Sequence, residues 1–232
     1  MGEFVGVVGK PATGKSTSYG QFPQLKIKGL DPKETVIINV CGKPLPFKGW
    51  KKLYDPTKAI KDGGNYIATY DWDRITKVIK YIDKSRPEIK NIVLEDGQYI
   101  MAFEFMNRAA EAGYKKFSDL GVHFNAIRDA VTTSREDLQV FTLWHPEIDG
   151  EGNMKMKTVG KMVNDYLTPE GLFTVILYTR VSKEDGGLKY EFVTNNDGDS
   201  PARSPIGMFD ETYIPNDLGY VAEKINEYYN GE

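Results

Sequence analysis

The chain has 232 residues, of which 40% are hydrophobic and 27% charged, and its net charge is −3. That length suits one large domain, and the balance describes a soluble globular protein while excluding a uniformly basic nucleic-acid binder. The single cysteine, Cys41, excludes an intrachain disulfide, and the longest apolar runs, such as 173–178, are too short to span a bilayer.

In chain order, residues 3–8 (EFVGVV) form the first expected strand, which runs straight into GKPATGKST. Residues 35–41 (TVIINVC), 65–70 (NYIATY), 91–95 (NIVLE) and 138–144 (LQVFTLW) are the next four strands. Near-continuous apolar strands without alternation are buried on both faces, which implies a parallel sheet. Between them, Ile75, Val78, Ile79 and Ile82 keep helical spacing behind Asp71 or Asp73 as N-cap, and residues 98–113 and about 117–135 give two more helices. Strand–helix alternation of this kind means α/β architecture.

After residue 146 the pattern changes. Residues 149–153 (DGEGN) are a turn cluster, and 172–181 and 188–194 are strands joined as a hairpin through 183–187. Residues 195–207 read as a polar loop and 217–229 as a closing helix. The expectation is one domain, with a core over about 1–147 and a C-terminal hairpin, loop and helix over about 148–232. The start of the chain has no basic segment followed by an apolar stretch, and position 6 is Gly rather than the Ser or Thr of a myristoylation signal, so a cytoplasmic protein is expected.

Gly9, Lys10, Pro11, Ala12, Thr13, Gly14, Lys15 and Ser16 match the phosphate-loop pattern G-x-x-x-x-G-K-[ST] at every fixed position, with Thr17 following. Glycines let the backbone curl so that successive N–H groups face phosphate oxygens. Lys15 is expected to reach the β- and γ-phosphates and Ser16 to ligate Mg2+, with a helix beginning near Gly14 adding its dipole. Such a site also needs a carboxylate at a neighbouring strand end to hold magnesium. Glu95 and Asp96 both qualify. Successive residues point in opposite directions, so only one can face the metal equally well. Glu95 is favoured, with Asp96 polarising water or contacting Ser16, and the reverse assignment stays open.

His145 ends the strand over 138–144 and is suited to sensing the γ-phosphate, whereas His123 reads as structural. Beyond that strand, Lys157, Lys161, Arg180 and Arg203 are candidate cations for a neighbouring subunit's site, with Arg203 and Lys161 the better two. Residues 24–61 carry nine lysines against three acids, a net +6 that leaves −9 for the rest of the chain. Phe47, Trp50 and Tyr54 are interleaved with those lysines, a mixture that suits single-stranded nucleic acid or, equally, a solvated loop whose rings pack inward. The acidic stretch 210–232 is a candidate shield for that patch.

In GKPATGKST, IVLEDGQYIM, FTLWHPE and FVTNNDGDSPARSPIGMF, the chain resembles the short RecA-like ATPases of bacteriophages, a single-domain group linked to recombination and single-strand annealing. The resemblance covers most of the chain. It implies a RecA-like P-loop NTPase core with a mostly parallel sheet flanked by helices, plus a C-terminal β-hairpin extension. It further implies ATP hydrolysis with Mg2+, single-stranded DNA binding, and assembly into a ring or filament. One departure stands out: where the family carries a catalytic glutamate after the second strand, this chain reads Asn39-Val-Cys-Gly-Lys-Pro-Leu-Pro46, with no acid. Two other functions fit a phosphate loop: a nucleotide-gated interaction module with little hydrolysis, and a small-molecule or nucleotide kinase. The paired arginines of a kinase lid are missing from the sequence.

Overall fold

The computed structural model describes residues 1–165 and 167–231, the side chain of Lys161 excepted. In chain order the elements are β1 (Glu3–Val8), β2 (Thr35–Asn39), α1 (Trp50–Leu53), β3 (Tyr66–Ala68), α2 (Trp72–Ser85), β4 (Asn91–Glu95), α3 (Tyr99–Asn107), α4 (Lys115–Thr132) and β5 (Gln139–Trp144). They continue with β6 (Pro146–Ile148), β7 (Met154–Met156), α5 (Lys161–Asn164), β8 (Val175–Glu184), β9 (Gly187–Val193), β10 (Tyr213–Pro215) and α6 (Leu218–Asn230).

Eight strands form one sheet in the order β10-β9-β8-β1-β5-β4-β2-β3. The six from β8 to β3 run parallel, while β9 and β10 turn back antiparallel. β6 and β7 make a separate two-stranded hairpin around the 149–153 turn. The protein is therefore α/β, with a mostly parallel mixed sheet flanked by helices.

The strand period explains the layers. Phe4 and Val8 of β1, Ile92 and Leu94 of β4, and Val140 and Trp144 of β5 enter one apolar cluster, with α2 and α4 laid on it through Ile75, Ile79, Phe124 and Ile127. The alternate residues Val5, Val7, Val93, Phe141 and Leu143 enter a second cluster, closed by Tyr19, Leu30, Tyr54 and the Leu218, Val221 and Ile225 face of α6. Each of these side chains contributes roughly 1.5–3 kcal/mol through burial. Asp71 caps α2, accepting from the amides of Asp73 (2.9 Å) and Arg74 (3.2 Å). Asp217 caps α6 and also accepts from the amides of Lys28 (2.6 Å) and Gly29 (2.9 Å), while Leu218 N donates to Ser18 O (2.8 Å). The last helix is thereby fastened to the segment just after residues 9–16.

The expected hairpin 172–194, the polar loop and the closing helix are all present, with bounds shifted by a few residues. The helix expected over 98–113 is shorter, ending at Asn107. Among the described residues, no helix begins near Gly14. Ser18 N donates to Gly14 O (2.9 Å) and Gly20 N to Thr17 O (3.1 Å), which closes a single turn before the chain leaves through Phe22. Ser16, Thr17 and Ser18 favour helix interiors weakly, and Gly20 followed by Pro23 prevents extension. Among the described residues, no helix is long and apolar enough to cross a membrane.

Candidate functional site

β1 is paired to β5 on one side and β8 on the other, with Val8 opposite Trp144 and Tyr178. The loop after β1 emerges between those two strands, and Gly9 N still donates to Trp144 O (3.0 Å). A Cβ at Gly9 would lie 1.9 Å from Thr179 Oγ1, so only glycine lets the loop leave the sheet here. Thr179 then donates to Thr13 Oγ1 (2.7 Å), and Thr13 to Lys10 O (2.7 Å). Ala12 and Gly14 both have positive φ, 63° and 93°. At an alanine this costs about 1–2 kcal/mol, strain held by the surrounding hydrogen bonds.

Lys15 folds over the loop it belongs to. Its Nζ donates to Gly9 O (2.6 Å) and Lys10 O (3.0 Å), and the residue is 7% exposed. Burial pushes its pKa down to about 8, against the opposing pull of Glu95 and Asp96.

The two acids at the end of β4 have separate surroundings. Glu95 completes the strand, opposite Asn39 of β2, and its Oε1 accepts from Ser16 Oγ at 2.5 Å across 79 residues of sequence. Burial raises the Glu95 pKa, more than the bonds from its neighbours lower it. Its Oε2 and the hydroxyls of Tyr19 and Thr142 are buried with no partner at full hydrogen-bond geometry, although Tyr19 lies close enough to help lower the Glu95 pKa. Asp96 turns into the left-handed region, φ 63°, which swings its carboxylate away from Ser16. Lys43 Nζ lies 2.6 Å from Asp96 Oδ2 and His145 Nε2 lies 3.7 Å from Asp96 Oδ1. Burial alone would raise the Asp96 pKa, but His145 and Lys43 outweigh it and hold the carboxyl well below the usual range. The expected contact of Asp96 with Ser16 is thus made by Glu95 instead.

His145 stands at the end of β5 as expected. Its amide donates to Gln98 Oε1 (3.0 Å), which fixes the strand exit beside the Asp96 turn. His123 is structural, stacked on Trp72 at 4.1 Å with Nδ1 2.7 Å from Glu104. Arg203 belongs to the fabric of the sheet: its backbone pairs with Ile176, and its guanidinium donates to the carbonyls of Phe173 (2.5 Å) and Glu170. A role in a neighbouring subunit's site would require breaking those bonds. Arg180 pairs with Glu191 (2.8 Å) and lies over the Tyr213 ring. Lys161 starts α5, and its side chain lies outside the described residues. Lys157 lines a cavity of about 530 Å³ together with Pro11, Gln98 and His145.

The basic segment divides by side chain. All nine of its lysines are exposed, but the rings turn inward. Tyr54 is 1% exposed, Phe47 meets Tyr19 (5.9 Å) and Tyr54 (6.5 Å) edge to face, and Trp50 packs on Tyr66 (5.2 Å). These aromatics serve the core and are not a stacking platform, because among the described residues no long helix covers the face of the sheet under β2 and β4. Lys28 pairs with Glu223 of α6, the one ion pair between this segment and the acidic C-terminal stretch among the described residues.

Three contributors were not visible in the sequence. Thr179 and Lys43 come from segments with no motif of their own. Asn216, 4% exposed, places its Oδ1 2.9 Å from where a Gly14 Cβ would be, and its Nδ2 has no partner. The Asn216-Asp217 pair before an apolar helix is a capping signal, but nothing local connects it to Gly14. A cavity of about 920 Å³ opens there, bordered by Gly14, Thr17, Leu188, Tyr190, Tyr213 and Asn216. A smaller one, about 260 Å³, is lined by Ser16, Asn39, Lys43 and Glu95. Among the described residues, no group of three or more His, Cys, Asp or Glu side chains is placed to hold a metal.

Chemically, the arrangement offers a curled backbone, the ammonium groups of Lys15 and Lys43, the Ser16 hydroxyl, two acids in different protonation environments and an imidazole, all around the ends of β1, β4 and β5. No protein-family model matches the chain, and no curated protein matches it.

Proposed function

We propose that this protein binds a nucleoside triphosphate with Mg2+ at residues 9–17 and hydrolyses it, as a RecA-like ATPase. The observation that carries the reading is the meeting of Ser16 with Glu95 beside the Lys15 ammonium. A hydroxyl and a carboxylate on adjoining elements are the two protein oxygens that a magnesium ion, completed by phosphate and water, requires. Glu95 fits that ion further because its Oε2 is buried and unpartnered, and a cation there offsets the burial that now raises its pKa. Lys15 would leave the loop carbonyls for the phosphates, and the strained turn at Ala12 presents the amides. The 920 Å³ cavity beside Gly14 is large enough for the nucleoside end, with Tyr190, Tyr213 and the free amide of Asn216 on its walls. The RecA-type core is supported by β5 lying between β1 and β4, which brings His145 to the phosphate end.

Water activation falls to Asp96 on this reading. Asn39, at the end of β2, is occupied otherwise: its Nδ2 donates to Lys43 O (2.6 Å) and Tyr66 Oη (3.0 Å), and its Oδ1 accepts from Gly42 N. A carboxylate held well below its usual pKa is a weak base, so slow turnover is expected for as long as Lys43 and His145 stay on Asp96. The same observation favours a second reading, in which the triphosphate acts mainly as an assembly switch. Single-stranded DNA is the proposed partner, met by the exposed lysines of 24–61 through its phosphates rather than by ring stacking, with assembly into a ring or filament. ATP turnover measured with and without single-stranded DNA, alongside sizing, tests this. Stimulated turnover in an enlarged species is expected. MgATP binding with no turnover in either condition selects the switch, and no nucleotide binding ends both readings.

A further inference from the structure

We infer that Lys43 is the cation this chain supplies to its own γ-phosphate, and that its pairing with Asp96 is the resting position of that group. The inference rests on the triphosphate reading above and names a residue that no motif marks.

The backbone around Lys43 is fixed while its side chain is not. Asn39 holds the loop at two adjacent residues, through Lys43 O and Gly42 N, and Gly42 takes the positive φ of 65° that the turn needs. Pro44 and Pro46 stiffen the chain on its C-terminal side. The Lys43 side chain is 64% exposed, and its Nζ has the Asp96 carboxylate as its one ion-pair partner among the described residues. Lys43 lines the same 260 Å³ cavity as Ser16 and Glu95. A γ-phosphate bound beside Ser16 and Glu95 would therefore adjoin a lysine whose backbone is already held.

Of the other candidate cations, Arg180 is paired with Glu191, Arg203 with two carbonyls, and Lys157 lines a different cavity, beside Pro11 and His145. Charge also argues for an exchange. Free, Asp96 needs a cation because it is buried; with a triphosphate in place, three terminal oxygens compete for Lys43. Release of Asp96 would then coincide with arrival of the substrate. In the reaction, a water oxygen bonds to the γ-phosphorus as the bond to the β–γ bridging oxygen breaks. The electron pair stays on the ADP oxygen, and the water proton passes to Asp96. Lys43 contributes by countering charge on the γ-oxygens.

Lys43→Ala, Lys43→Arg and the wild type are compared for binding of ADP and of a non-hydrolysable ATP analogue, both with Mg2+, and for steady-state ATP turnover. For Lys43→Ala the expected result is an affinity for the ATP analogue about 10-fold weaker, ADP affinity within about twofold, and turnover lower by about 10²-fold. Lys43→Arg is expected to restore most of the preference for ATP over ADP. A merely structural lysine would shift both affinities alike, and an unchanged ATP-to-ADP ratio in Lys43→Ala overturns the inference. If that ratio is unchanged while the wild type binds MgATP, only Lys43 loses its role. If the wild type binds neither nucleotide, the triphosphate reading fails and the inference fails with it.

Discussion

At the edge of the sheet where β4 and β5 begin, cations close the backbone. Arg135 Nη1 donates to the carbonyls of Ile82 (3.0 Å) and Asp83 (3.2 Å), its Nη2 to Ile89, and its Nε lies 2.8 Å from Asp137. Arg86 does the same for Ile60 (2.9 Å) and Gly64 (3.0 Å). At the opposite edge, where the same strands end, Ala12 and Asp96 sit at positive φ, Glu95 keeps a buried oxygen unpaired, and a lysine is buried against its own loop. One edge is arranged for the stability of the free chain. The other stores strain and unmatched charge that a bound polyphosphate and cation would relieve.

Substitutions at the two edges should therefore move different observables. The largest effect is expected for Lys15→Ala: about 4 kcal/mol, a thousandfold, in MgATP affinity, because a buried charge partner is removed. Melting of the nucleotide-free protein should stay the same or rise, since a buried ammonium is also removed. Calorimetric titration and thermal melts check both; MgATP affinity within tenfold of wild type would break the contrast. Next comes Arg135→Ala, expected to cost about 3 kcal/mol of stability by orphaning several carbonyls, while Asp137 keeps Lys90. Nucleotide affinity of the folded fraction should not change, and a large affinity loss would mean that the two edges are coupled.

A smaller effect is a pH signature. The free Lys15 pKa is about 8, below the ordinary 10.5, and a bound triphosphate raises it. The complex then holds more protons than the free protein above about pH 8, so affinity falls with rising pH there, by up to about tenfold per unit. Stability of the free protein moves the other way between about 8 and 10.5, because the unfolded chain binds the extra proton. Affinity flat across that window in wild type, after correction for the nucleotide's own titration, would contradict the placement of Lys15.

Legibility in the sequence divides along similar lines. β1, β4 and the residue types of the 9–17 loop are legible because strand hydrophobicity and a loop motif are local. The division of labour between Glu95 and Asp96 is not, since it hangs on the φ of 63° at Asp96, which no pattern announces. The helix expected after Gly14 comes from motif habit, and the local run of Ser, Thr and Gly overrides it. Phe47, Trp50 and Tyr54 share a composition with stacking platforms, and only the bare face beneath them decides that they pack inward. The strands β6, β7 and β10 have three residues each, too few for a period to appear. Lys43, Thr179 and Asn216 reach the site through long-range packing alone.

If main-chain amides of residues 9–17 take up a triphosphate, their hydrogen exchange must respond to MgATP, and exchange with and without MgATP is the decisive measurement. Slower exchange at 9–17 and at the strand ends around 95–98 and 145 is predicted, with no such change in Lys15→Ala. Saturating MgATP that leaves residues 9–17 exchanging as in the free protein would contradict the account.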